Sequence, residues 1–241
     1  MTEKVIPAGQ RIRVALLGCG RISKNHFEAL AKLPGLELVA VCDLVAERAE
    51  QAGMLYNVPW FTSYELMLAE IQSDAVIIAT PSGLHPQHGI LAAKAGRHVI
   101  SEKPMAISLA AADALVQACD DQQVHLFVVK QNRLNPPIVL LKRAIDSGRF
   151  GRIYMANCTV RWTRPQDYYD QAPWRGTWEF DGGAFMNQAS HYVDLLDWLI
   201  CPVDTVQAMM SPTRDIEVED TGVLNVRWRN GALGSMSVTM L

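Results

Sequence analysis

The sequence has no apolar stretch near the roughly 18 residues of a membrane-spanning helix, no long run of basic charge, and no paired cysteines. Each absence removes a class of protein. With 22 basic residues against 25 acidic ones and a net charge of -3, no general nucleic-acid or membrane surface is expected. Cys19, Cys42, Cys119, Cys158 and Cys201 are odd in number and scattered, with no CxxC motif. That excludes a disulfide framework or a zinc cluster and fits a reducing cytoplasm. Residues 1–18 carry basic side chains, but their apolar run is short and stops at glycines, so neither export nor membrane insertion is expected. Repeats and low-complexity segments are also missing. What remains is a 241-residue chain, 49% hydrophobic, long enough for a large core and for two domains. Its expected partner is a small molecule.

From Arg11 to about Gln131, short β-branched runs alternate with helical stretches, the rhythm of βαβ units around a parallel sheet. The runs are 11–17, 36–42, 75–79, 98–100 and 124–129. Helices are expected near 22–33, 45–53, 64–70, 85–95 and 108–120, with Pro34-Gly35 and Gly96 as stops and Ser108 as an N-cap. Past Gln131 the rhythm changes. A helix over 137–146, a strand over 153–161, an irregular aromatic-rich stretch over 162–180 and a helix over about 183–200 are followed by strands near 205–210 and 217–229. Arg229-Asn230-Gly231 reads as a hairpin turn. The fold class is α/β, with a boundary between 1–131 and 132–241. The closing ALGSMSVTML alternates apolar and polar residues. Either the chain ends inside a sheet and is a fragment truncated at its C-terminus, or this is an edge strand at the terminus.

Gly18-Cys19-Gly20-Arg21-Ile22-Ser23 follows the first strand and opens a helix. Glycines there let the backbone turn tightly and approach a pyrophosphate, which the helix N-terminus stabilises. Ser23 replaces the third glycine, so a GxG turn of some unrelated α/β protein stays open. Asp43, about twenty residues on at the end of the second strand, points to ribose hydroxyls and to NAD rather than NADP; a plain helix N-cap is the alternative. A second cluster, Thr80-Pro81-Ser82-Gly83-Leu84-His85-Pro86-Gln87-His88, falls where a dinucleotide would pass. Its two histidines lack a suitably spaced third ligand and Pro86 makes them a helix start, so polar contact with the cofactor or capping is expected, and no metal.

Ligands of doubly wound sheets sit at the carboxyl ends of strands, which puts Glu102-Lys103-Pro104 at a cofactor cleft. Lys103 there can hold or polarise a substrate hydroxyl; a surface ion pair with Glu102 is the alternative. Asn187 and His191, four apart in a mostly apolar stretch, are expected to share one polar helix face. His191 is either a satisfied buried histidine or, facing Lys103 across a cleft, a proton acceptor near neutral pH.

These features together resemble the glucose-fructose oxidoreductase, inositol dehydrogenase and MocA family. The resemblance covers essentially the whole chain: the glycine loop at 18–22, Asp43, the segment from Thr80 to His88, Glu102-Lys103-Pro104, and the glycine-led helix ending in His191. More narrowly, the stretches 131–137, 162–166 and 174–183 are similar to bacterial UDP-N-acetylglucosaminuronate 3-dehydrogenases of O-antigen, and hence lipopolysaccharide, sugar biosynthesis. The resemblance implies an N-terminal Rossmann domain and a C-terminal α/β domain with an open, largely antiparallel sheet that supports oligomers, most often tetramers. It implies oxidation of a C3 hydroxyl by NAD, with Lys103, His191 and Asn187 at the substrate and with Glu102, Gln131, Trp174 and Arg175 near the cofactor. Relatives often carry aspartate where this chain has Asn187, which moves the proton-accepting role to His191 with Lys103. A UDP-linked uronate brings several negative charges, for which Arg133, Arg161, Arg164 and Arg175 are candidates, Arg164 and Arg133 foremost. Another sugar or inositol dehydrogenase, or a sensor that binds NAD and sugar without catalysis, are the competing readings.

Overall fold

A computed structural model of the chain describes residues 9–241, so the reading of the N-terminal stretch lies, for residues 1–8, outside the described residues. Two compact units divide at Val129 and Lys130. No described helix is long and apolar enough to cross a membrane.

The first unit is built on six parallel strands: β1 (Ile12–Leu17), β2 (Leu36–Cys42), β3 (Trp60–Phe61), β4 (Ala75–Ile78), β5 (His98–Ser101) and β6 (Leu126–Val128), in the order β3-β2-β1-β4-β5-β6. Between them run α1 (Ser23–Lys32), α2 (Ala46–Tyr56), α3 (Tyr64–Glu70), α4 (His85–Lys94) and α5 (Leu109–Asp121). Both faces of the sheet are covered, which is why its strands read as continuous apolar runs rather than alternating ones. Val14, Leu16, Val41 and Ile77 pack on Phe27 and Leu30 of α1, while Ala15, Leu17, Val76 and Ile78 pack with Met67, Ala92, Ala93 and Leu115 of α3 to α5. Ser108 caps α5, its Oγ accepting the Ala111 N–H at 3.3 Å. Asn57 in the left-handed region (φ 53°) stops α2.

The second unit holds α6 (Pro136–Asp146), β7 (Met155–Arg161), α7 (Gln166–Asp170), α8 (Ser190–Ile200), β8 (Val203–Ser211), β9 (Thr221–Trp228) and β10 (Leu233–Thr239). Its sheet runs β7-β10-β9-β8, antiparallel except for the β7–β10 pair. Val160, Met236 and Val238 point to α8 and pack with Tyr192 and Leu196. The alternate positions, among them Met155, Met209, Val223 and Leu233, face outward and are 53–77% exposed.

β10 is paired on both sides, to β7 and to β9, so of the two readings of the closing alternation the strand inside a sheet holds and the edge strand does not. One sequence expectation is corrected. The helix expected over 183–200 begins only at Ser190. Residues 184–189 form turns in which the Ala189 N–H reaches back five residues to the Ala184 carbonyl, so Asn187 and His191 do not share a regular helix face.

Candidate functional site

In the first unit, the sequence-marked residues gather at the carboxyl ends of β1, β2, β4 and β5. Gly18 turns the chain out of β1 with φ +97°, where a Cβ would sit 2.6 Å from the Ala79 carbonyl oxygen. Gly20 is bare for another reason: nothing lies within 4 Å of a Cβ built on it. Ser23, standing where a third glycine is usual, is buried and donates its hydroxyl to the Gly20 carbonyl at 2.6 Å, closing the turn. Ile22, the N-cap of α1, offers no side-chain cap, so the helix start keeps main-chain donors for an anion. An uncapped helix start beside an open glycine fits the pyrophosphate of a dinucleotide.

Asp43 accepts the Cys19 N–H on one carboxylate oxygen and the Val45 N–H on the other, both at 2.8 Å. It thus fixes the glycine loop and does not cap α2, whose N-cap is Val45 with no side-chain bond. Burial, with Asp43 beside it, pushes the Cys19 thiol up to about 12, so this cysteine between the glycines is not a nucleophile.

Thr80 pairs through Oγ1 with His88 Nδ1 at 3.0 Å, and the Tyr64 hydroxyl donates to the His88 carbonyl at 3.1 Å. Pro81 leads into a short 3-10 turn at Ser82–Leu84, with Ser82 buried. Burial pulls the His88 pKa down to about 4, leaving a neutral ring. His85 differs from the expectation of a cofactor contact. It is 1% exposed, and both ring nitrogens lie against main-chain carbonyls, so it has no polar atom left for a ligand. Glu102 is buried and pairs with His26 of α1 at 2.9 Å, and its other oxygen accepts the Lys103 N–H at 3.1 Å. Burial opposes ionisation of Glu102, but the bond and charge of His26 and the nearness of Lys103 hold its carboxyl below the usual range. The Lys103-Pro104 peptide is cis. Arg21 is exposed at the loop, as is Gln131, which starts a 3-10 turn at the head of the second unit.

In the second unit, His191 is buried in the first turn of α8. Asn187 donates to Asp181, which is itself buried and accepts the Gly176 N–H at 2.7 Å, so the amide has a fixed direction. Gly183 is bare because a Cβ there would strike the Glu219 carboxylate, whose Oε1 accepts the Phe185 N–H at 3.1 Å. Arg133 is held by Asp194 in a two-bond fork of 2.7 and 2.6 Å through its Nε and Nη2. Lys130 Nζ stands 3.9 Å from the same carboxylate.

The aromatic-rich stretch arranges its arginines on rings. Arg164 stacks over Trp162 at 4.3 Å and Tyr168 at 5.0 Å, and Arg175 over Tyr168 at 4.3 Å and Trp174 at 5.6 Å. Arg214, which no sequence motif singles out, joins them: its Nη2 and the Arg164 main-chain N–H both approach the Met240 carbonyl. The buried Nε of each of these three arginines makes no hydrogen bond among the described residues. Among the described residues, no group of three or more His, Cys, Asp or Glu is placed to hold a metal ion.

A doubly wound sheet of order 3-2-1-4-5-6 with a glycine loop, an acid after the second strand and a lysine after a later one defines the first unit as the nucleotide-binding part of a Rossmann-type oxidoreductase. Residues 12–130 match the oxidoreductase family with an NAD-binding Rossmann fold, and residues 138–241 match the GFO/IDH/MocA C-terminal domain. The chain belongs to the GFO/IDH/MocA oxidoreductase family. It is 56% identical to the WlbA dehydrogenase of Bordetella pertussis, solved with NADH and UDP-GlcNAcA, over 96% of this chain and 72% of that one, with a TM-score of 0.95. It is 57% identical to the WlbA dehydrogenase of Chromobacterium violaceum, solved with the same two ligands, over 99% of this chain and 70% of that one, with a TM-score of 0.96. Among curated relatives, D-apiose dehydrogenase of Paraburkholderia graminis is 37% identical over 153 residues, 63% of this chain and 41% of its own length.

Proposed function

We propose that the chain carries the machinery of an NAD-dependent dehydrogenase that oxidises the C3 hydroxyl of UDP-N-acetylglucosaminuronate to the 3-keto sugar, in the cytoplasm, for bacterial O-antigen sugars. The observation that carries this reading is identity of 56–57%, spread over 96–99% of the chain, with two dehydrogenases whose structures hold NADH and UDP-GlcNAcA. The stacked Arg164 and Arg175, with Arg214 beside them, support a polyanionic substrate, since guanidinium groups suit both phosphate and carboxylate. A homo-tetramer is the proposed assembly, supported by the outward Met155, Met209, Val223 and Leu233 on the uncovered sheet face, an apolar surface that a second subunit would bury.

The glycine loop, Asp43 and the Thr80-Pro81-Ser82 turn would hold NAD, with Glu102 toward the nicotinamide side. NAD, when bound, supplies the acceptor for the hydride that leaves C3. The protein's part is the proton. His191 accepts it from the C3 hydroxyl, Lys103 hydrogen-bonds the same oxygen, and Asn187, held by Asp181, orients the sugar. Such base catalysis contributes about 10²- to 10⁴-fold.

The test is incubation of the protein with NAD and UDP-N-acetylglucosaminuronate, following NADH absorbance and the 3-keto product. Absence of both, even with an acceptor that recycles NADH, counts against the reading. Reduction of NAD by D-apiose or an inositol alone would move it to a related sugar dehydrogenase. Lys103→Met and His191→Asn should each lose turnover while NADH binding survives; wild-type rates in either would remove that residue's role.

A further inference from the structure

His85 is the one residue of the second cluster whose side chain is sealed from solvent and yet spends both ring nitrogens on main chain. Its Nδ1 lies 2.7 Å from the Pro104 carbonyl oxygen and its Nε2 lies 2.8 Å from that of Thr80. Thr80 follows β4 and Pro104 follows β5, and these strands are parallel neighbours. The imidazole therefore bridges the two turns that leave the sheet at its functional end. A carbonyl has no proton to give, so every proton on the ring is donated into these turns. A neutral ring holds one carbonyl at a time and a charged ring holds both.

The bridged turn is the one that carries Lys103. On its N-terminal side, the Lys103 N–H is fixed to Glu102 Oε2, and that carboxylate is fixed in turn to His26 at 2.9 Å. On its C-terminal side, the next carbonyl along the chain is the Pro104 oxygen held by His85. With the ring proton on Nδ1, the main chain of Lys103 is thus gripped from both flanks. A ring with donors on opposite edges is suited to this span, since an amide side chain carries both its donors on one nitrogen.

We propose that His85 is a positioning residue for Lys103, acting through the Pro104 carbonyl to fix where the lysine starts, rather than a ligand of the cofactor. This rests on the reading of Lys103 as a group that touches the reacting hydroxyl. Misplacing such a group by about 1 Å costs on the order of 100-fold in turnover.

The experiment compares the full chain with His85→Gln, His85→Asn, Lys103→Met and the double variant His85→Gln/Lys103→Met. Turnover of UDP-N-acetylglucosaminuronate, NADH affinity and melting temperature are measured for each. The Asn amide nitrogen replaces Nδ1 and reaches toward Pro104, whereas the Gln amide nitrogen replaces Nε2 and reaches toward Thr80. His85→Gln should therefore lose turnover by about 10- to 100-fold with NADH affinity unchanged, and His85→Asn should retain more turnover than His85→Gln. In the Lys103→Met background, His85→Gln should cost nothing further. An equal loss in both backgrounds, or wild-type turnover in His85→Gln, overturns the proposal while leaving Lys103 its role. Wild-type turnover in Lys103→Met removes that role and this inference with it. Should the protein not turn over this sugar at all, acetylation of Lys103 followed by mass spectrometry decides. A rate changed at Lys103 but not at Lys24 or Lys94 by His85→Gln supports the positioning role, and an unchanged rate overturns it.

Discussion

Gly18 and Gly20 stand two residues apart in one loop, yet alanine should act on them in opposite ways. At Gly18 the new Cβ would meet the Ala79 carbonyl oxygen at 2.6 Å, and the backbone has φ +97°. The conformation costs about 1–2 kcal/mol and the overpacking about 1–3 kcal/mol more. At roughly 2–4 °C per kcal/mol for a chain of this size, Gly18→Ala should melt about 4–20 °C lower. At Gly20 nothing lies within 4 Å and φ is not positive, so Gly20→Ala should fold unchanged or gain about 0.4–1 kcal/mol from a less flexible unfolded chain. On the proposed reading, the added methyl instead occupies the space through which a pyrophosphate approaches the α1 amides. NADH affinity should fall about 10- to 100-fold, ~1.4–2.8 kcal/mol. Thermal melts by circular dichroism and titration of NADH fluorescence separate the two effects. Wild-type NADH affinity in Gly20→Ala would refute the assignment of the loop, and a large loss of melting temperature there would refute the reading of its open side.

Three further outcomes follow from other parts of the molecule. His88 has a folded-state pKa of about 4, below its ordinary value, so its contribution to stability is present near neutrality and is lost as pH falls from about 6.5 toward 4; urea midpoints across this range should fall less steeply in His88→Gln. Gly183→Ala drives a methyl into the Glu219 carboxylate and should destabilise the second unit by about 1–3 kcal/mol or more; a melting temperature equal to wild type would show that the carboxylate moves aside freely. Arg164→Lys keeps the charge but loses the flat stack on Trp162 and Tyr168, so KM for the UDP-uronate should rise with kcat nearly constant; the reverse pattern would take Arg164 out of substrate binding.

The first unit was largely legible because strands buried on both faces are written as unbroken apolar runs, and Ser108 and Gly96 mark helix ends locally. The two-residue β3 was not, since Trp60 and Phe61 are too short to show a period. Lys103 could be placed from its position after a strand alone. Arg133 could not be judged that way: the carboxylate that neutralises it belongs to Asp194, 61 residues distant. The start of α8 failed for a related reason. Residues 184–189 have helical composition, but the Asn187 amide turns to Asp181 and the Ala189 N–H skips to a five-residue bond, choices made by the surrounding fold. Arg214 lies in a polar segment with no periodic or motif signal, and the Met240 carbonyl that it shares with Arg164 lies far from both in sequence.

The interior position of β10 has a consequence for the order in which the protein can form as it is synthesised. Among the described residues β7 has one strand neighbour, β10, which lies 78 residues later, as in the Asn157–Ser235 pair. The βαβ units of the first half close over short separations, whereas the β7–β10 pair closes only once the segment between them has been made. The second unit therefore carries the long-range strand pairing, the slower kind to form because its loop-closure entropy is met before the contacts offset it.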